Sequence, residues 1–221
     1  MTTSEYFGDW LNIIPENVIN VYRNFLLKAV TGNVPIEPKD TFGVFKAFNR
    51  TSFENCKAII IGQDPYFDGR ATGLAFGNNL EPNEKPSPSL RVIKDSVLSL
   101  VDKEEIPKFD YSLESWAKQG ILLLNSALTV KRGEPNSHSV AWEPFMKVFI
   151  HRMSTRKEVI WLLFGKRAWE LSKYITGEPV VLKYYHPAFY ARNVIPMPTT
   201  PWENLIKYYK ENYNIDLQLY D

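Results

Sequence analysis

The chain has 221 residues, 44% of them hydrophobic, and its 26 Lys and Arg residues nearly balance 25 Asp and Glu residues to leave a net charge of +1. This length predicts one domain over 1–221, and the balanced charge excludes a histone-like basic protein while leaving room for a local basic groove. The single cysteine, Cys56, excludes an internal disulfide and a cysteine-based zinc site, and with only three histidines we expect no metal site.

No apolar run approaches the length of a membrane span, and no signal peptide opens the sequence. We therefore expect an intracellular protein without a membrane partner. Its expected location is the cytoplasm, or the nucleus if the host is eukaryotic or viral.

The first elements predicted along the chain are helical. Apolar residues recur at helical spacing over 5–31, and Pro15 is expected to break this stretch into two short helices. A loop over 35–40 and a short helix over 42–48 are predicted next.

Four apolar runs then alternate with helical segments. The runs occupy 58–61, 121–124, 159–164 and 180–182, the last continuing through 185. The predicted helices lie at about 89–102, 112–118, 142–154, 166–174 and 202–212. This alternation predicts an α/β fold with a central four-stranded, mostly parallel sheet flanked by helices on both faces, a three-layer α/β/α arrangement.

Polar residues follow three of the four apolar runs: Asp64, Asn125 and His186. Pro65 biases Asp64 toward an extended conformation and away from a helix. Because the carboxyl ends of parallel strands share one edge of the sheet, where ligands bind, an acid, an amide and an imidazole are expected to converge on one pocket.

Each of these residues also has a plainer interpretation. An aspartate before proline commonly caps a turn, and Asn125 would cap the turn after its strand. His186 would be a buried imidazole with its hydrogen bonds satisfied. Tyr66 and Phe76 would be core aromatics.

The motifs of this chain resemble, in order, those of family 1 uracil-DNA glycosylases. Gly62-Gln63-Asp64-Pro65-Tyr66 resembles the water-activating motif, and residues 122–130 resemble the second strand with its uracil-reading loop. The segment 136–142 is similar to the one that follows in the family. Three weaker matches are a proline-rich loop at 85–90, the segment 161–166, and His186-Pro187 opening an intercalation loop. The resemblance covers most of residues 53–192.

This resemblance implies a DNA-repair hydrolase of the base excision pathway. Such an enzyme flips uracil out of DNA and cleaves its N-glycosidic bond to leave an abasic site, with no lyase step, no metal and no cofactor. Asp64 would orient the attacking water and stabilise the sugar cation, while His186 would donate a hydrogen bond to uracil O2. The residues implied to bind uracil are Gln63, Tyr66, Phe76 and Asn125.

The DNA-contacting segments depart from the family pattern. Phe67 stands where the family usually has histidine, Ala188 replaces a phosphate-contacting serine, and the intercalating leucine is missing. Tyr190 or Phe189 would serve as the wedge instead. The residues predicted to contact DNA are Ser87, Ser89, Lys166, Arg167, Phe189, Tyr190 and Arg192.

Two other functions remain open on the sequence. One is a glycosylase-like DNA-binding accessory protein with little catalysis, and the other is a glycosylase of broader base scope. The expected partners are single- or double-stranded DNA containing uracil and DNA-mimicking inhibitor proteins, and we expect a monomer.

Overall fold

The structure, a computed structural model, describes residues 3–30, 34–101 and 107–220. The strands are β1 (Ile36–Glu37), β2 (Ala58–Gly62), β3 (Ile121–Asn125), β4 (Val130–Lys131), β5 (Ile160–Phe164) and β6 (Val181–Tyr184). The α-helices are α1 (Thr3–Phe7), α2 (Glu16–Val30), α3 (Thr41–Arg50), α4 (Pro88–Leu98), α5 (Glu114–Lys118), α6 (Ser139–Met153), α7 (Lys166–Leu171), α8 (Pro187–Asn193) and α9 (Thr200–Tyr213). Short 3-10 helices follow α1 at Gly8–Asn12 and α7 at Ser172–Tyr174.

The central sheet is parallel throughout, with the strand order β3-β2-β5-β6. The register sets Gly62 beside Asn125 and Phe164 beside Tyr184, so the four strands end close to one level. The chain leaves β2 toward β3 but leaves β5 toward β6. The two connections therefore diverge between β2 and β5, and such a switch point opens a ligand crevice at the carboxyl edge.

Burial explains why the strands are apolar along their whole length. Every residue of β2, β3 and β5 is buried, because helices cover both faces of the sheet. The edge strand β6 is only partly buried. Within the described ranges, no helix has both the length and the apolar character needed to cross a lipid bilayer.

Two helices that begin beside the carboxyl edge start with a proline at the first helical position. In α4, Ser87 precedes Pro88 and its hydroxyl accepts a hydrogen bond from the Leu90 N–H at 3.3 Å. In α8, His186 precedes Pro187. A proline there costs no hydrogen bond and has the φ that a helix requires, so both starting points are fixed locally.

The predicted α/β class and four-stranded parallel sheet are confirmed, and two further features were not predicted. The loop predicted over 35–40 contains β1, which pairs antiparallel with β4; each has only 2 residues, too few for a periodic pattern. The loop predicted after His186 is the helix α8. The predicted helices over 5–31 and 89–102 extend to residues 31 and 102, which lie outside the described residues.

Candidate active site

A cavity of about 450 Å³ opens at the carboxyl edge of the sheet. Its volume falls within the range typical of small-molecule sites. Asp64, Asn125 and His186, which follow β2, end β3 and follow β6, all line it. The other lining residues are Gln63, Pro65, Tyr66, Phe67, Ala71, Gly73, Leu74, Phe76, Ser89, Pro135, Asn136, Ala188 and Arg192.

Asp64 is held in place by the segment before α6. Its Oδ2 accepts a hydrogen bond from the Asn136 N–H at 2.6 Å, and Asn136 Oδ1 accepts one from Gln63 Nε2 at 2.9 Å. Asn136 has a φ of +63°, a left-handed conformation that asparagine tolerates better than most residues. Burial raises the pKa of Asp64, and the Asn136 amide opposes that rise by stabilising the carboxylate.

The loops that leave β2 and β3 are joined by their backbones. The Ser126 N–H donates to the Gly62 carbonyl at 3.2 Å, and the Ala127 N–H donates to the Gln63 carbonyl at 3.1 Å. The Ser126 hydroxyl donates to the same Gln63 carbonyl. The segment that carries Asp64 is therefore fixed relative to the segment that carries Asn125.

Asn125 and Phe76 meet over Gly62. A Cβ on Gly62 would lie 2.6 Å from Asn125 Oδ1 and 3.1 Å from Phe76 Cζ, so only glycine allows this approach. Within the described part of the chain, the side-chain amide of Asn125 has no hydrogen-bond partner and is available to a ligand. Phe76 has a φ of +67°, a strained value for an aromatic residue of the kind found at functional sites.

Tyr66 forms another wall of the cavity. Its phenol donates a hydrogen bond to the Phe76 carbonyl at 3.3 Å and lies beside the side chains of Ser87 and Asn78. Burial raises the pKa of Tyr66 to about 12, so the phenol stays neutral at physiological pH. These contacts hold the ring in one orientation at the edge of the cavity.

His186 is fixed as one tautomer. Its Nδ1 accepts a hydrogen bond from the Ala188 N–H at 3.1 Å, which leaves the proton of the neutral ring on Nε2. Burial and the positive charge of Arg192 lower the pKa of His186 to about 4, so the ring is neutral at physiological pH. A Cβ on Gly165 would lie 2.9 Å from the Cβ of His186, so the turn after β5 requires glycine.

Three sides of α8 have different environments. Ala188 and Arg192, one helical turn apart, line the cavity. Tyr190 and Ala191 line a separate groove against α4, and Tyr190 packs on the core. Phe189 points outward and is 37% exposed. Of the two proposed wedges, Phe189 is therefore the accessible one and Tyr190 is turned toward α4.

The remaining predicted DNA contacts differ in accessibility. Ser87 is 1% exposed, caps α4, and donates its N–H to Asn78 Oδ1 at 2.6 Å. Ser89 lines the cavity. Lys166 and Arg167 are exposed at the start of α7, where Arg167 pairs with Glu170 at 3.3 Å. The predicted residues outside the cavity are Ser87, Lys166, Arg167, Phe189 and Tyr190.

Sequence reasoning missed Asn136 and Gly62 as individual site residues. Both lie within segments that it singled out, but their roles depend on contacts across the chain. A possible signal for Asn136 was an asparagine following Pro135, since asparagine is favoured where a turn needs a positive φ.

Comparisons with known proteins agree with this geometry. The sequence model of the Uracil DNA glycosylase superfamily matches residues 48–209. A Brevibacillus brevis protein named uracil-DNA glycosylase is 40% identical over 193 residues, covering 84% of this chain and 82% of that protein.

Solved structures share the fold. The crystal structure of mimivirus uracil-DNA glycosylase has a TM-score of 0.70 and 23% identity, covering 85% of this chain and 69% of that one. The wild-type enzyme from Nitratifractor salsuginis has a TM-score of 0.59 and 21% identity, covering 81% of this chain and 83% of that one. A variant of the mimivirus enzyme was crystallised in complex with UGI.

Proposed function

The chain belongs to the Uracil DNA glycosylase superfamily, and we propose that it is a DNA-repair hydrolase that excises uracil from DNA, with Asp64 and His186 as its catalytic residues. One observation carries this assignment: a carboxylate, an unpaired side-chain amide and a neutral imidazole line the same cavity of about 450 Å³.

The substrate base must leave the DNA stack to reach these groups. A base inside a duplex is shielded by its pair and its neighbours, and extruding it costs on the order of a few kcal/mol. The cavity, whose lining includes Ser89, Ala188 and Arg192, has the volume to accept one base. Single-stranded DNA avoids the cost of breaking a base pair, so both strand forms are substrates.

Asp64 acts on the sugar. As the N-glycosidic bond breaks, positive charge develops on the sugar and the bonding electron pair leaves with uracil. The carboxylate stabilises this charge and orients a water whose oxygen bonds to C1′, and the water proton passes to Asp64 and then to solvent. The Asn136 N–H orients the carboxylate and opposes the rise in its pKa that burial causes.

His186 acts on the departing base. With Nδ1 occupied by the Ala188 N–H, the proton on Nε2 faces the ligand and donates a hydrogen bond to uracil O2. The low pKa of about 4 means that the donor is neutral imidazole. It stabilises the uracil anion electrostatically without transferring its proton.

Three side chains select the base. The Asn125 amide can donate to uracil O4 and accept from N3–H, a pattern that cytosine does not match. Phe76 stacks on the ring. Tyr66, held by its contact to the Phe76 carbonyl, stands where the methyl group of thymine would project. Gln63 contributes through its backbone, which is fixed by Ser126 and Ala127.

We expect the DNA backbone and inhibitor proteins to bind the face of the protein on which the cavity opens. Arg192 and Ser89, which line the cavity, are candidate phosphate contacts, and so are the exposed Lys166 and Arg167. A DNA-mimicking inhibitor of the kind bound by the mimivirus relative would occupy this face and compete with DNA. We propose that the protein acts as a monomer, because one chain supplies every side chain of the cavity.

The decisive experiment measures uracil release from single- and double-stranded oligonucleotides. Asp64→Asn should lower the single-turnover rate by about 10³-fold, since the side chain keeps its shape but loses its charge, while DNA affinity is retained. The matched control is Asp68→Asn, which removes a nearby exposed carboxylate that pairs with Arg70. No release by the unsubstituted chain, or equal rates for Asp64→Asn, would refute the proposal.

The role of Tyr66 is tested by base choice. Tyr66→Ala should admit thymine and release it from DNA, because the ring no longer blocks the methyl group. Tyr66→Phe keeps the ring and should keep the discrimination. If Tyr66→Ala discriminates as well as the unsubstituted chain, Tyr66 has a packing role only.

A further inference from the structure

Three aromatic rings form a row on the outer surface beside the cavity. The ring centroids of Trp169 and Tyr185 lie 5.7 Å apart at an interplanar angle of 57°. Those of Tyr185 and Phe189 lie 5.0 Å apart at 24°, a stacked arrangement. We call Trp169, Tyr185 and Phe189 the aromatic row.

The aromatic row is anchored at one end and open at the other. Trp169 Nε1 donates to the carbonyls of Leu163 and Tyr184, at 2.9 and 3.1 Å, which fixes the indole on the ends of β5 and β6. Tyr185 is 57% exposed and Phe189 is 37% exposed. The rings of Tyr185 and Phe189 are thus nearly parallel and exposed to solvent, although burial of their apolar surface would be energetically favoured.

The row adjoins the catalytic imidazole. Tyr185 immediately precedes His186, and the Phe189 N–H donates to the His186 carbonyl at 2.8 Å. On the adjacent side of α8, Ala188 and Arg192 line the cavity. A nucleotide next to one whose base occupies the cavity would therefore pass over the aromatic row.

Positive charge flanks the row at both ends. Lys166 lies one helical turn before Trp169 on α7, and Arg192 lies one turn after Phe189 on α8. Both side chains are exposed. Exposed rings interleaved with cations are the combination that holds single-stranded nucleic acid, because rings stack on bases of any sequence while cations follow the phosphates.

We propose that the aromatic row is a stacking platform for an unpaired base next to the uracil in the same DNA strand. The inference rests on the proposed function, which brings uracil into the cavity. In an intact duplex the neighbouring base remains stacked in the helix. The platform therefore favours single-stranded substrates or the locally unstacked strand around the extruded uracil.

The test uses 2-aminopurine, a base whose fluorescence is quenched by stacking. It is placed on either side of uracil in single-stranded oligonucleotides, and binding is measured in the Asp64→Asn background so that the probe stays intact. Binding should quench one of the two probes. The pair Tyr185→Leu with Phe189→Leu should abolish the quenching and weaken single-strand affinity about tenfold or more.

Ring-retaining substitutions separate stacking from general packing. The pair Tyr185→Phe with Phe189→Tyr should keep both the quenching and the affinity, whereas the leucine pair keeps apolar bulk without a ring. Val180→Ala is the matched surface control, since Val180 is 42% exposed beside the opposite end of β6 and should bind DNA normally. Affinity for a uracil-containing duplex should fall less than affinity for the single strand.

The inference fails if the leucine pair keeps the quenching and the single-strand affinity, or if neither probe is quenched. Either result with normal uracil release by the unsubstituted chain overturns the platform alone. Absence of uracil release by the unsubstituted chain would instead overturn the proposed function. The two failures are therefore distinguishable.

Discussion

The cavity has two walls of different construction. The loop wall consists of residues 62–66, Phe76, 125–127 and Asn136, and it is joined by hydrogen bonds that link the exits of β2 and β3 to each other and to Asn136. The helix wall consists of His186, Ala188 and Arg192, which lie at the start of or within a helix of 7 residues whose outer side carries the exposed Phe189. The side chains proposed to act on the base lie mainly where backbones converge, while those proposed to contact DNA lie on the more open wall.

Burial acts on a titratable group in each wall, with different consequences. In both it favours the uncharged form, raising the pKa of Asp64 and lowering that of His186. The neutral form is what His186 needs, so burial assists the helix wall. Asp64 needs its charge, and the loop wall supplies the Asn136 amide to retain it.

Among changes outside the proposed catalytic side chains, the largest expected effect comes from adding one methyl group to the loop wall. Gly62→Ala places a Cβ 2.6 Å from Asn125 Oδ1 and 3.1 Å from Phe76 Cζ, so both side chains must move. We expect kcat/KM for uracil release to fall about 100-fold, as for other small misplacements of positioning groups. Gly8→Ala is the control: its Cβ meets nothing within 4 Å, and although the φ of +49° strains an alanine there, the variant should release uracil normally. If the two variants are equally active, Asn125 and Phe76 can move without loss of activity, and the prediction is wrong.

A smaller effect separates backbone from side chain at Asn136. Asn136→Ala strains a backbone held at a φ of +63° and should lower the single-turnover rate about tenfold, because the N–H that orients Asp64 shifts. Asn136→Gly keeps that conformation and loses only the contact to Gln63, so its loss should be about threefold. If Asn136→Gly instead loses more of the single-turnover rate than Asn136→Ala, the effect would come from the side chain and not from the backbone.

In the helix wall the expected effect is a shift of pH dependence. The proposed mechanism requires ionised Asp64 and neutral His186, so the single-turnover rate should decrease at acid pH, as Asp64, whose pKa is raised by burial, and His186, whose pKa is about 4, take up protons. Arg192→Ala removes a charge that lowers the pKa of His186, so the acid limb should move to higher pH by about a few tenths of a unit. High salt should reduce the difference between the two proteins, because Arg192 is exposed. If the acid limb of the pH–rate profile of Arg192→Ala is unchanged or moves to lower pH, this electrostatic role of Arg192 is wrong.

The smallest effect concerns stability at the end of α8. Val194 is 91% exposed and has a φ of +53°, an unfavourable conformation for a β-branched residue. Val194→Asn should raise the free energy of unfolding in urea by about 0.5–1 kcal/mol, because asparagine tolerates this conformation at a helix end. The control is Val180→Asn. Val180 is also exposed but does not have a positive φ, so this change should not stabilise the protein. A destabilised Val194→Asn would mean that the valine side chain contributes packing.

The sheet and the meeting of three polar residues were predictable for related reasons. Fully buried parallel strands read as continuous apolar runs, so β2, β3 and β5 are visible in the sequence. Once the strands are parallel, residues after their carboxyl ends share one edge, which brings Asp64, Asn125 and His186 to one cavity. Their catalytic roles remain predictions.

Other parts of the site depend on contacts that a sequence does not encode locally. The Asn136–Asp64 contact joins residues separated by 72 positions. The segment after His186 was predicted as a loop and is the helix α8. A proline after His186 is compatible with both, so the sequence did not distinguish them. Which ring of α8 faces solvent was not predictable, since Tyr190 turns inward only because α4 packs beside it.

The packing of α4 against α8 gives the two DNA-facing segments a common mechanical base. Ser89 near the start of α4 and Ala188 near the start of α8 both border the cavity, and Tyr190 lines the groove between the two helices. A displacement of one helix would therefore be expected to displace the other. The parts of the cavity lining that α4 and α8 supply would then shift as one unit.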